Sequence, residues 1–66
     1  MIDKEEREKE RAMVLAQIGA VTVRASAIEK ATGLHMRSVD RALQGLRKDG
    51  HIEFVGGVGS GWRRTT

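Results

Sequence analysis

The sequence predicts a mainly α domain with a small β-hairpin, an α+β arrangement of three helices and a two- or three-stranded sheet. Three observations carry that expectation. Met36, Val39, Leu43 and Leu46 recur at spacings of three and four, the stripe of an amphipathic helix. Gly33 and Gly50 stand where helical segments stop, as glycine does past a helix C-terminus. Beyond Gly50 the pattern changes to alternation over residues 51–55, then a GGVGSG run, then a short return segment.

The first helix is expected over Asp3–Ile18, which holds no breaker and has i,i+4 pairs such as Asp3/Arg7 and Glu5/Lys9. Val14, Leu15 and Ile18 form a short apolar side, and Arg7 and Arg11 continue the same stripe toward the N-terminus. The first two turns therefore lack a core face and are expected to project into solvent, to fray or to meet a partner. Met13 lies off the stripe and is expected to be exposed. Gly19 is expected to close this helix, and Val21-Thr22-Val23 has the β-branched content of a short strand.

Ser26 and Glu29 have the spacing of a capping box opening a short second helix. Ile28 and Ala31 are expected inside, Thr32-Gly33 ends the helix, and Leu34 plugs the core from the turn. The third helix is expected over Met36–Asp49, with His35 at or near its N-cap and Ala42 beside the apolar stripe. Arg37, Arg41, Gln44 and Lys48 fall within about 40° of the opposite pole of the same wheel. Gly45 in mid-helix costs about 1 kcal/mol relative to alanine and is expected to be merely tolerated. In His51–Val55, Ile52 and Phe54 point one way and Glu53 and Val55 the other. Trp62–Thr65 returns as the second strand, with Trp62 covering the core.

Sixty-six residues make at most one domain, and such a chain buries only about 60% of the surface its unfolded form exposes. Without cysteine there are no disulfides and no thiolate metal sites. The N-terminal segment is charged rather than apolar, so it is not a signal peptide, and no apolar run approaches a membrane span of about 20 residues. A soluble cytoplasmic or nucleoid-associated protein is expected. His35 and His51 have no carboxylate at ligand spacing, so no metal is expected, and no cofactor or small-molecule ligand is evident. The GGVGSG run has neither the lysine nor the following helix of a phosphate-binding loop. No Ser/His/Asp or paired-carboxylate arrangement has a pocket to work in, so the chain is not expected to be an enzyme.

Charge divides unevenly. Residues 1–11 carry a net −1, the remainder a net +4, and the bases after His35 are Arg37, Arg41, Arg47, Lys48, Arg63 and Arg64. Positive charge thus collects on the segments that would meet a polyanion. The order of short helix, tight turn, longer basic helix and glycine stop into a strand is the outline of a helix-turn-helix. With ATGL at 31–34, SVDRALQGLRKDGHI at 38–52 and GWRRTT at 61–66, the chain resembles the winged helix-turn-helix superfamily of prokaryotic and viral regulators. The resemblance covers about residues 12–66, leaving 1–11 as a charged helical extension.

That resemblance implies a second helix presented to a DNA groove, with Arg37 and Arg41 on its groove side and the wing reaching backbone or minor groove. The chain departs from many relatives in having no Arg or Lys between Val55 and Trp62, and in ending within the last strand. By residue type, Arg37 and Arg41 suit guanine and Gln44 suits adenine. Ser38 at the helix N-terminus suits a phosphate alongside free backbone amides. Lys48, Arg47 and Arg24 suit the backbone, and Arg63 and Arg64 sit at the wing base where a phosphate track would pass. Asp40 flanks the stripe, to read cytosine, to repel phosphate, or to pair with Arg37 or Lys48. The expected function is double-stranded DNA binding, as a small transcriptional regulator or a mobile-element accessory factor. One copy has a small footprint, so a homodimer or a larger protein partner is expected to assist. The alternatives are a winged helix used as a protein-interaction module, through Met13, Val55, Val58 or the charged first helix, and a binder of RNA or non-B-form nucleic acid with Trp62 stacking on a base.

Overall fold

A computed structural model of the chain describes residues 4–65. They form helices α1 (Lys4–Ala16), α2 (Ala25–Thr32) and α3 (Met36–Lys48), then strands β1 (Ile52–Val55) and β2 (Gly61–Arg64). The fold is α+β, three helices and one antiparallel hairpin. Asp3, where the first helix was expected to begin, lies outside the described residues. None of the described helices is long and apolar enough to cross a membrane.

The apolar stripe of α3 organises the interior. Val39, Ala42, Leu43 and Leu46 are buried, with Val14 and Ile18 on one side, Ile28 from α2 on another, and Ile52 from β1 closing the end. Leu34 and Met36 pack at its edge, as does Trp62. Gly33 and Gly50 take φ of 73° and 81°, left-handed values that let each helix stop in a single residue. His35 caps α3, its Nδ1 accepting from the Arg37 amide at 3.3 Å. Met13 is 41% exposed, off the apolar side of α1 as its position on the wheel requires.

Several local expectations fail for identifiable reasons. α1 ends at Ala16, and its last turn tightens as the Gln17 and Ile18 amides donate to Val14 and Leu15 carbonyls at 3.0 Å. Gly19 is not left-handed, so it is no C-cap; its carbonyl accepts from the Arg64 amide at 2.8 Å. Ser26 caps nothing, because the N-cap falls two residues earlier, at Arg24, with no side-chain cap. Ala31 is exposed, since an eight-residue helix turns a single side chain, Ile28, fully inward. The Val21–Val23 strand shrinks to one antiparallel bridge, Val23 with Trp62, and Val21 is 81% exposed.

That bridge ties the hairpin to the helices. Val23 and Trp62 exchange two backbone hydrogen bonds, at 2.8 and 2.7 Å. The crossing is close enough that a Cβ on Gly61 would lie 2.7 Å from the Val23 carbonyl oxygen. Arg64 adds a second tie, with Nε donating to the Ile18 carbonyl at 2.6 Å and Nη2 to the Leu15 carbonyl at 2.9 Å. The Leu15 carbonyl also accepts from the Ile18 amide, and a cation there meets the negative end of the helix dipole.

Two stability changes are expected in urea denaturation monitored by circular dichroism. Gly61→Ala forces the Val23 backbone away and costs about 1–3 kcal/mol, as overpacking does. Arg64→Met keeps the aliphatic stem, loses both carbonyl contacts, and costs about 1–2 kcal/mol.

Candidate nucleic-acid interface

Burying one side of α3 fixes what its other side presents. Arg37, Arg41, Gln44 and Lys48 are all exposed, as the wheel requires, and Arg47 is exposed on the flank toward the hairpin. The side chains of Arg37, Gln44, Arg47 and Lys48 have no hydrogen-bond or ion-pair partner among the described residues. Gln44, Arg47 and Lys48 together line a shallow surface concavity of about 480 Å³. Asp40 is exposed too, and the pairing with Arg37 or Lys48 does not form.

Arg41 is not free. Its Nη2 donates to Glu10 Oε1 of α1 at 3.0 Å and lies 3.5 Å from Ser38 Oγ. The Glu10 side chain is only 13% exposed, against 45% for Arg41. One residue on, Arg11 Nη1 reaches Asp49 Oδ2 at 3.2 Å. To do so its guanidinium crosses α3 at Gly45, where any Cβ would collide with it. Gly45 thus lies under the mobile end of an exposed arginine, which a Cβ would displace. α1 runs unbroken across residues 11 and 12, as the single helix expected from Asp3 to Ile18 does. Residues 4–9 are exposed, whereas Glu10 and Arg11 dock on α3 through polar groups.

The remaining expected contact residues divide. Ser38 keeps its hydroxyl near the stripe, but the α3 amides beside it are taken. The Arg37 amide donates to His35 Nδ1 and the Ser38 amide to the His35 carbonyl at 2.9 Å, which leaves the Met36 amide as the one unengaged donor of that turn. Arg24 is exposed at the start of α2. Arg63 pairs with Glu53 across the hairpin, Nε to Oε2 at 2.6 Å. Arg64 is exposed, with its guanidinium on the Ile18 and Leu15 carbonyls at the C-terminal end of α1. Thr22 Oγ1 donates to the Gly59 carbonyl at 2.9 Å and holds the hairpin loop, whose Val58 is fully exposed.

Phe54 departs most from expectation. It shares a face with Ile52, yet Ile52 is 2% exposed and Phe54 56%. Ile52 belongs to the buried core cluster, whereas Phe54 lies outside it. Trp62 is half-buried against the core as expected, and Phe54 packs on it edge-to-face with centroids 5.2 Å apart. Glu10, Arg11 and Phe54 were not read as site residues from the sequence. The available signal was that Arg7 and Arg11 extend the Val14–Ile18 stripe, which made that side of α1 a docking side with polar chemistry.

Among the described residues no group of three or more His, Asp or Glu side chains is placed to hold a metal ion. Comparison of the chain with protein-family models, curated proteins and solved structures finds no match.

The Glu10–Arg41 pair is solvated on its arginine side, so its coupling should be small. A double-mutant cycle with Glu10→Gln and Arg41→Gln is expected to give about 0.2–1 kcal/mol, shrinking as salt is raised.

Proposed function

We propose that this chain is a duplex-DNA-binding domain of the winged helix-turn-helix kind. It places α3 in the major groove and rests the hairpin, as the wing, beside the adjacent backbone. Such a domain suits a small transcriptional regulator or a mobile-element accessory factor. The observation that carries the proposal is the outward pole of α3. Four polar or cationic side chains share it, and three of them are unengaged and open to solvent.

The roles follow from chemistry and position. Arg37 and Gln44 make bidentate contacts to guanine and adenine edges. Lys48 and Arg47, at the C-terminal end of α3, meet phosphates of the flanking strand. Arg41 reads from a fixed position, because Glu10 already orients its guanidinium. Arg63 and Arg64 are spent on Glu53 and on α1, and the hairpin loop carries no cation. The wing is therefore an electrostatically weak contact, and most affinity comes from α3. A single module covers about 600–1,000 Å², so tight binding in the cell calls for a second copy or a larger partner.

Binding to a labelled duplex, followed by fluorescence anisotropy at about 50 and 200 mM salt, tests this. Lys48→Ala is expected to lower the slope of log affinity against log salt by about 0.9, one phosphate contact. On the tightest sequence selected from a randomised duplex pool, Arg37→Ala is expected to cost about 1–3 kcal/mol while leaving the slope nearly unchanged. Wild-type affinity in both folded variants would refute the placement of α3.

A further inference from the structure

The chain contains only two aromatic residues, and the fold puts them side by side at the edge of the α3 stripe. Phe54 and Trp62 are opposite partners in the hairpin register. Trp62 rests on the core and fixes the Phe54 ring from one side, while Phe54 stays 56% exposed. Across from them stands Arg47, and the two rings, Arg47, Ile52 and Glu53 line an open concavity of about 520 Å³. Arg47 also lines the basic concavity with Gln44 and Lys48, so the aromatic recess and the cationic stripe form one continuous surface.

We propose that this recess is a stacking site for one unpaired nucleobase, with the base on Phe54 and its phosphate on Arg47. The inference rests on the nucleic-acid reading of α3 and extends it to a strand that is not fully paired. Three features select this occupant. The aromatic wall is held before any ligand arrives, so little ordering cost falls on binding. The recess is shallow and open, which suits a flat ring needing one π-face. An apolar protein anchor draws its energy from an enclosed, fully desolvated pocket instead. The local charge favours an anion, because Arg47 has no partner whereas the Glu53 carboxylate is neutralised by Arg63 at 2.6 Å. A cationic groove beside an aromatic platform is the chemistry by which single strands are held.

The test uses Trp62 as its own reporter, since the chain has one tryptophan and no tyrosine. The intact chain is titrated with a short oligothymidylate, following tryptophan emission. Binding is expected to quench Trp62, and Phe54→Leu, which keeps apolar bulk but removes the ring, is expected to weaken binding about 5- to 150-fold. Phe54→Tyr restores the π-face and is expected to bind as the wild type does. Arg47→Gln is expected to lower the salt slope by about 0.7. Unchanged emission, or a folded Phe54→Leu chain that binds like the wild type, would overturn the proposal. So would quenching by a polyglutamate peptide and not by oligothymidylate, which would assign the recess to an acidic protein segment. A parallel titration with a fully paired duplex separates the two readings. Duplex binding insensitive to Phe54→Leu, with no oligothymidylate binding, leaves the α3 reading standing and removes this one. Phe54-dependent quenching without duplex binding does the reverse.

Discussion

Burial of Val39, Ala42, Leu43 and Leu46 is the constraint from which the rest of the structure follows. These four side chains occupy one side of α3, and every other element packs on them or on their neighbours. A chain of this size has a total stability of about 3–10 kcal/mol. Truncating one buried leucine costs about 2–5 kcal/mol, so a single core position such as Leu43 accounts for a large part of the whole. With its apolar side committed, the opposite pole must face water, and that pole holds Arg37, Arg41, Gln44 and Lys48. Fold stability and the proposed binding surface are thus two sides of one helix.

The charges on that surface are not equivalent, and the differences come from α1 and the hairpin. Glu10 holds Arg41 from one side, Arg11 crosses Gly45 to Asp49, Glu53 holds Arg63, and Arg64 closes the end of α1. Of the expected contact residues, Arg24, Arg37, Gln44, Arg47 and Lys48 stay unengaged, a set narrower than the basic composition suggests. A count of arginines therefore overstates the cations open to a ligand. The aromatic pair alters the picture in the other direction, by setting a flat apolar surface next to Arg47.

Elements whose determinants are local were legible in the sequence. The stripe of α3 recurs over residues 36–46 of a thirteen-residue helix, and the left-handed glycines at 33 and 50 end their helices without help from elsewhere. His35 could be placed at its cap for the same reason. Failures came where a distant partner decides. Ser26 and Glu29 match a capping box in isolation, but the Val23–Trp62 bridge fixes the chain just upstream and α2 opens at Ala25 instead. Arg64 reads as a surface cation until α1 ends within reach of its guanidinium. The passage of Arg11 over Gly45, thirty-four positions away, is likewise set by tertiary packing. Phe54 alternates correctly with Ile52, yet alternation does not say how far along the strand the core extends. The candidate stripe on α3 was legible, whereas the ion pairs that divide its members were not.

The central claim is that the outward pole of α3 meets a nucleic-acid duplex. Amide chemical-shift mapping of labelled protein, titrated with a mixed-sequence duplex at about 50 and 200 mM salt, tests it most directly. The account predicts shifts concentrated at positions 37–48, extending to the hairpin beside Arg47, that fade steeply at the higher salt. A folded sample whose spectrum does not move at low salt would contradict it. So would shifts gathered on the outer side of α1 around Met13, with α3 unperturbed.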